Sequence, residues 1–77
     1  MTTEQAPEVL TNGAIVLQSA PLRDGGRAVL TDAHAVSSVE PYVTWIVDAA
    51  GNAFWGHYFA KVTDASSDYA IRAQRGY

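Results

Sequence analysis

The chain has 77 residues, which is enough for one domain and too few for two. It contains no cysteine, so neither a disulfide bond nor a thiolate zinc site can reinforce the thin core of so small a domain. Eight acidic residues against five basic ones give a net charge of −3, which disfavours nucleic acid as a partner. No stretch approaches the ~20 consecutive apolar residues of a membrane span. We therefore expect a soluble, cytoplasmic protein that does not bind membranes.

The first third of the chain predicts a flexible segment followed by a strand. Residues 1–12 are polar and contain Pro7, and we interpret them as a flexible N-terminal segment that precedes a single α+β domain at 13–77. Apolar residues concentrated in 13–22 predict the first strand. Pro21 lacks an amide hydrogen, so it should lie near the end of that strand or on a sheet edge.

A tight hairpin turn is predicted next. Asp24-Gly25-Gly26 combines residues that tolerate the left-handed backbone angles of such turns. A second strand is predicted at 27–34 and a loop at 36–41.

The clearest hairpin signal lies in the middle of the chain. Residues 42–47 are all β-branched or aromatic, residues 48–52 carry a turn signal with Gly51, and 53–59 predicts the fourth strand. A loop at 49–51 places Asp48 opposite Asn52, so that paired residue numbers sum to 100. The predicted cross-strand pairs are Trp45 with Trp55, Val43 with His57, Tyr42 with Tyr58, and Ile46 with Phe54.

The C-terminal residues predict a helix. Thr63-Asp64 is typical of an N-cap, 65–74 forms the helix, and Gly76 ends it. The helical period places Ala65, Tyr69 and Ala73 on one face with Val62 just ahead of them, Asp68 within reach of Arg72, and Ile71 on the opposite side.

These elements define an α+β fold, an antiparallel β-meander of three to four strands with one C-terminal helix packed on one face (β-β-β-β-α). The third and fourth strands carry large apolar residues on both faces, and one short helix can cover only one of them. The predicted core comprises Val43, Trp45, Val47, Trp55, Phe59 and Tyr69. The candidate interaction surface comprises Tyr42, Ile46, Phe54, Tyr58 and Ile71.

Residues that could carry chemistry are few. His34, His57 and Asp32 could form a two-histidine, one-carboxylate metal site, but no ligand-spacing motif supports it. No serine lies in the context of an activated nucleophile, and the aspartates are better explained by turns and caps. We therefore predict no catalytic residue, no metal and no cofactor.

The chain resembles small uncharacterised proteins encoded by actinobacteriophages (mycobacteriophage-like) and by some actinobacterial prophages. The resemblance spans roughly residues 13–75. It rests on Ala20-Pro21-Leu22-Arg23-Asp24-Gly25, Tyr42-Val43-Thr44-Trp45, Gly51, Trp55-Gly56-His57-Tyr58-Phe59, Ala65, Asp68-Tyr69 and Arg72. It implies a phage accessory product in the host cytoplasm rather than a virion subunit, and it carries over no functional residues.

The leading hypothesis is a non-catalytic accessory protein that binds a protein, either a host protein or a second copy of itself as a homodimer. Alternatively, Val9 and Leu10 of the N-terminal segment fold back over the second sheet face. A small nucleic-acid-binding module that uses the sheet as a platform is the alternative function.

Overall fold

A computed structural model describes residues 8–77 of the chain. It contains one open antiparallel sheet with the strand order β1-β2-β3-β4, and a C-terminal helix packs against this sheet. The predicted α+β fold and its β-β-β-β-α order are confirmed. The elements are β1 (Ile15–Pro21), β2 (Arg27–Asp32), β3 (Tyr42–Val47), β4 (Ala53–Phe59) and α1 (Val62–Arg75). Within residues 8–77, no helix is long and apolar enough to cross a membrane.

The two predicted hairpin turns form for the predicted reasons. Gly25 adopts a φ of 89°, and the Asp24 carboxylate accepts a hydrogen bond from the Gly26 amide. Gly51 adopts a φ of 90°, in the left-handed region that glycine enters without strain. Asp48 and Asn52 lie opposite each other, as predicted, and the Asp48 amide donates to the Asn52 carbonyl.

The first two strands are shorter than predicted. The predicted strand at 13–22 covers only Ile15–Pro21, and the one at 27–34 ends at Asp32. His34 lies instead in a turn, because Asp32 accepts hydrogen bonds from both its amide and its ring and so bends the chain away from β3.

The register between β3 and β4 departs from the prediction at one point. Ile46 pairs with Phe54 as expected, but a bulge between Thr44 and Ile46 shifts the rest of the hairpin by one residue. The predicted Trp45–Trp55, Val43–His57 and Tyr42–Tyr58 pairs are therefore wrong. The observed pairs beyond the bulge are Thr44 with His57, Val43 with Tyr58, and Tyr42 with Phe59.

The sheet face turned away from α1 is covered by the chain itself. Side chains alternate between the faces of a strand, so Val43 and Val47 lie on the side opposite Thr44, which contacts the helix. Leu10 packs against them and is only 9% exposed. Residues 8–12 are thus part of the folded unit, while residues 1–7 of the predicted flexible segment lie outside the described residues. The buried cluster comprises Leu10, Ala14, Val29, Ala33, Val43 and Val47.

Helix α1 begins earlier than predicted, and the face that it turns to the sheet also includes Arg72. Its N-cap residue is Lys61, without a side-chain cap, so Thr63-Asp64 is not the cap. Asp64 lies in the first turn, where its charge interacts favourably with the helix dipole. Ala65 of the predicted face is buried together with Arg72, and Tyr69 and Ala73 of that face are half-buried. Gly76 ends the helix as predicted, with a φ of 95°.

Candidate binding surface

The bulge in β4 concentrates backbone strain at Trp55. This residue has a φ of 54°, and it is the one non-glycine residue with positive φ among residues 8–77. The left-handed region crowds any side chain with a β-carbon, and a bulky residue there is a genuine outlier. Such conformations persist only where the surrounding structure imposes them, and they cluster at functional sites.

The neighbouring Gly56 explains why the strain falls on a tryptophan. A β-carbon at position 56 would lie 2.6 Å from Cζ3 of Trp45, so only glycine leaves room for the indole above β4. A bulge usually places glycine at the left-handed position. In β4 the glycine is needed one residue later, and Trp55 therefore takes the strained position.

The side chain of Trp55 projects into solvent. Trp55 is 62% exposed, so the prediction that it belongs to the core is wrong. Within residues 8–77, its one aromatic contact is with Phe54, edge to face with ring centroids 4.8 Å apart. The bulge rotates Trp55 out of the alternating pattern from which its core position was predicted. Trp55 and the half-buried Phe54 beside it are referred to below as the β4 surface, and Tyr58, further along β4, is also exposed.

The predicted interaction residues do not form one surface. Ile46 is buried under α1, so its predicted exposure is wrong, and Ile71 is exposed on the helix. Tyr58 pairs with Val43 and lies on the sheet face opposite Tyr42 and Phe54, because the bulge shifts the register. Of the other predicted core residues, Val43 and Val47 are buried, whereas Trp45, Phe59 and Tyr69 are half-buried.

A polar cluster ties α1 to the sheet beside this surface. Arg72 is 1% exposed, and its Nη1 donates to both the carbonyl and the hydroxyl oxygen of Thr44 at 3.0 Å. The Thr44 hydroxyl donates in turn to the carboxylate of Asp68. His57 on β4 contacts the same carboxylate oxygen through Nδ1 at 3.0 Å. The predicted Asp68–Arg72 pair is thus bridged by Thr44.

The electrostatics of the cluster favour the charged carboxylate. Burial raises the pKa of Asp68, but hydrogen bonds from Thr44 and His57 and the charges of His57 and Arg72 outweigh it and lower the pKa overall. Burial lowers the pKa of Arg72, partly offset by the nearby charge of Asp68. The Thr44 hydroxyl is closed to a substrate because Thr44 is 1% exposed. The geometry therefore supports a structural role for the cluster.

Sequence reasoning missed Arg72 as a buried residue. The available signal was Thr44, a polar residue within an otherwise apolar central strand, together with Asp68 and Arg72 one helical turn apart. A threonine at that position can accept hydrogen bonds from a buried guanidinium only when the helix crosses the strand directly above it, and one sequence does not reveal this crossing.

The candidate metal ligands are separated. His34 contacts Asp32 at the end of β2, whereas His57 contacts Asp68 on helix α1. Within residues 8–77, no group of three histidine, cysteine, aspartate or glutamate residues could hold a metal ion.

Comparison with known proteins gives no relative from which to transfer a function. No protein-family model, no curated protein and no solved structure matches this chain.

Proposed function

We propose that the chain is a non-catalytic protein-binding module and that Trp55 anchors its binding surface. The observation that carries the proposal is the coincidence of strain and exposure at one residue, because Trp55 is both in the left-handed region and 62% exposed. An accessory role in a phage-infected or prophage-carrying cell is the setting in which we expect this activity.

The free energies of strain and burial favour a partner that covers the indole of Trp55. A strained non-glycine residue costs about 1–3 kcal/mol. A tryptophan buries roughly 150–250 Å² when it is covered. The exposed part of Trp55, about two thirds of that area, corresponds to roughly 2.5–4 kcal/mol at ~25 cal/mol per Å². A partner that covers the indole would gain as much as the strain costs or more, whereas the free protein leaves this area in water.

The charge distribution favours a protein over a nucleic acid. Arg72 is buried in the Thr44–Asp68 cluster, and Arg27 forms an ion pair with Glu8, so these two of the five basic residues have internal partners. The net charge of −3 further opposes phosphate binding. An exposed tryptophan can stack on a nucleobase, which keeps a nucleic-acid module as the alternative.

Affinity capture from a host lysate tests the proposal with two matched variants. Trp55→Asn removes the indole and accepts the left-handed backbone, whereas Ile71→Gln removes an exposed apolar side chain from the helix. We expect proteins captured by the wild type to be lost with Trp55→Asn and retained with Ile71→Gln. Unchanged capture by Trp55→Asn would contradict the proposal. Binding to single-stranded DNA that weakens steeply between about 50 and 200 mM salt would favour the alternative.

A further inference from the structure

We propose that the partner of the β4 surface is a second copy of this chain, joined edge to edge through β4 in a two-fold dimer. This inference rests on the proposed function, because it names the partner of the same Trp55 surface. It starts from a difference between the two edges of the sheet.

The β1 edge is occupied by the chain itself. Val9 forms an antiparallel bridge with Ile15, and the Val16 amide donates to the Glu8 carbonyl at 2.8 Å. Further along, a bulge interrupts the strand between Val16 and Gln18, and Pro21 has no amide hydrogen to offer. These are the features by which natural sheets prevent an edge from pairing with another strand.

The β4 edge lacks most of these protections. Among residues 8–77, no strand pairs with its outer side, since β4 is the last strand of the sheet. The strand reads AFWGHYF, with no proline and no lysine, arginine, aspartate or glutamate. Its bulge shortens the regular edge, so we expect few backbone hydrogen bonds and a dominant contribution from the indole of Trp55.

A single available edge determines the symmetry. If both edges could pair, copies would add head to tail without closing. With only β4 available, each copy must use the same edge as its neighbour, and two copies close the assembly around a two-fold axis. When the two sheets lie in one plane, the two-fold axis is perpendicular to that plane, and it makes the two β4 strands antiparallel.

The charges at the two ends of β4 are complementary in this arrangement. Gly56 is the central residue of β4, and strands centred on it would bring Lys61, just after one strand, next to the 48–52 turn that precedes the other. That turn carries the carboxylate of Asp48. A parallel arrangement would instead place Lys61 beside Lys61 and Asp48 beside Asp48. Within the paired β4 strands His57 faces Trp55, and β4 has no acidic, lysine or arginine side chain to repel its copy.

Sedimentation equilibrium of the full chain tests the dimer. The wild type at roughly 10–100 μM, the range of weak specific association, should give about twice the 8.3 kDa chain mass. Trp55→Asn should give the monomer mass while its circular dichroism stays that of the folded protein. Leu17→Asn, a matched change of an exposed residue on β1, should remain a dimer.

Cross-linking tests the strand direction, since the chain has no cysteine of its own. Asn52→Cys and Ala60→Cys place thiols at opposite ends of β4. A mixture of the two variants treated with a short bis-maleimide should give mainly the mixed product. Predominance of either homogeneous product would overturn the antiparallel pairing.

The other outcomes are also decisive. A wild-type monomer throughout that concentration range overturns the dimer, and so does a dimer that persists in Trp55→Asn or is lost in Leu17→Asn. The capture experiment detects only proteins other than this chain, so a wild type that dimerises through Trp55 and captures no host protein supports both proposals, with the second copy as the partner. A monomer whose captured proteins depend on Trp55 would thus overturn the self-pairing and leave the proposed function standing.

Discussion

Gly56 lies directly beneath the indole ring of Trp45. A β-carbon at position 56 would meet Cζ3 at 2.6 Å and Cη2 at 2.9 Å, closer than non-bonded carbon atoms approach. The ring of Trp45 is also in edge-to-face contact with Tyr58, with centroids 5.9 Å apart. The indole of Trp45 therefore packs between Gly56 and Tyr58. Because position 56 must be glycine, the bulge and the strain occur at the preceding residue, Trp55.

We expect Gly56→Ala to destabilise the protein by about 1–3 kcal/mol, the usual cost of adding a carbon to a packed site. Urea unfolding followed by circular dichroism measures the change. Trp45→Leu removes the colliding ring, so in the Trp45→Leu background the same substitution should cost clearly less. Equal costs in both backgrounds would show that the clash is not the reason for the glycine.

Most of the fold was predictable because its signals are local. The bounds of β3 and β4, the two glycine turns and the stop at Gly76 each depend on residues adjacent in sequence. The register beyond Ile46 was not predictable, because the bulge arises from the contact between Trp45 and Gly56 across two strands. A one-residue shift moves every later side chain, and Tyr58 was accordingly assigned to the wrong face.

The candidate surface was predicted less well than the fold. The sequence pattern predicts Trp55 in the core because large apolar residues in alternating strands are usually buried. Its exposure follows from a backbone conformation that tryptophan rarely adopts and that no propensity predicts. The burial of Leu10 was one of two open alternatives, and long-range packing against Val43 and Val47 decided it.

Leu10 should contribute measurably to stability. It packs against the apolar face of the sheet, so Leu10→Ala should cost roughly 2 kcal/mol or more. The adjacent Val9 is mostly exposed, and Val9→Ala should stay within about 0.5 kcal/mol of the wild type. Thermal and urea unfolding of the pair provide the comparison. Similar stabilities of the two variants would mean that this segment does not cover the sheet in solution.

Arg72 should be the most sensitive position of the helix. Arg72→Met removes the donors to Thr44 and leaves the Asp68 carboxylate without its cationic neighbour, for an expected cost of about 3 kcal/mol or more. The same change at Arg75, whose guanidinium lies 4.4 Å from the Tyr77 ring at the surface, should cost under about 1 kcal/mol. If Arg72→Met is as stable as the wild type, the polar cluster does not hold the helix against the sheet.

The polar cluster also predicts a dependence of stability on pH. The pKa of Asp68 is lowered in the folded protein, so near its ordinary value of about 3.9 the unfolded chain binds more protons. The stabilisation from Asp68 is therefore complete above the ordinary pKa, and it is lost as the pH falls through the lower pKa of the folded protein. Urea unfolding from about pH 7 to about pH 2.5 should show a smaller acid loss in Asp68→Asn than in the wild type. Glu40→Gln, in an exposed loop, should keep the wild-type loss, and an Asp68→Asn profile identical to the wild type would contradict the assignment.

Trp55 should be dispensable for folding. Trp55→Asn gives up the edge-to-face contact with Phe54, worth roughly 0.5–1.5 kcal/mol. It recovers a similar amount, about 1–2 kcal/mol, because asparagine tolerates the left-handed backbone at this position. The two effects nearly cancel, and we expect a free energy of unfolding within about 1 kcal/mol of the wild type when measured at concentrations low enough to exclude association.

Trp45→Asn is the matched comparison, because Trp45 is half-buried against the core and Tyr58. Its loss should cost about 3–5 kcal/mol, as expected for truncating a packed tryptophan. The fluorescence of the two variants separates the indoles further, since Trp55 should emit at the longer wavelength of a solvated ring and be quenched by iodide, while Trp45 should be protected. If Trp55→Asn instead unfolds the protein, the indole stabilises the fold itself, and its strained, exposed position no longer supports a binding role.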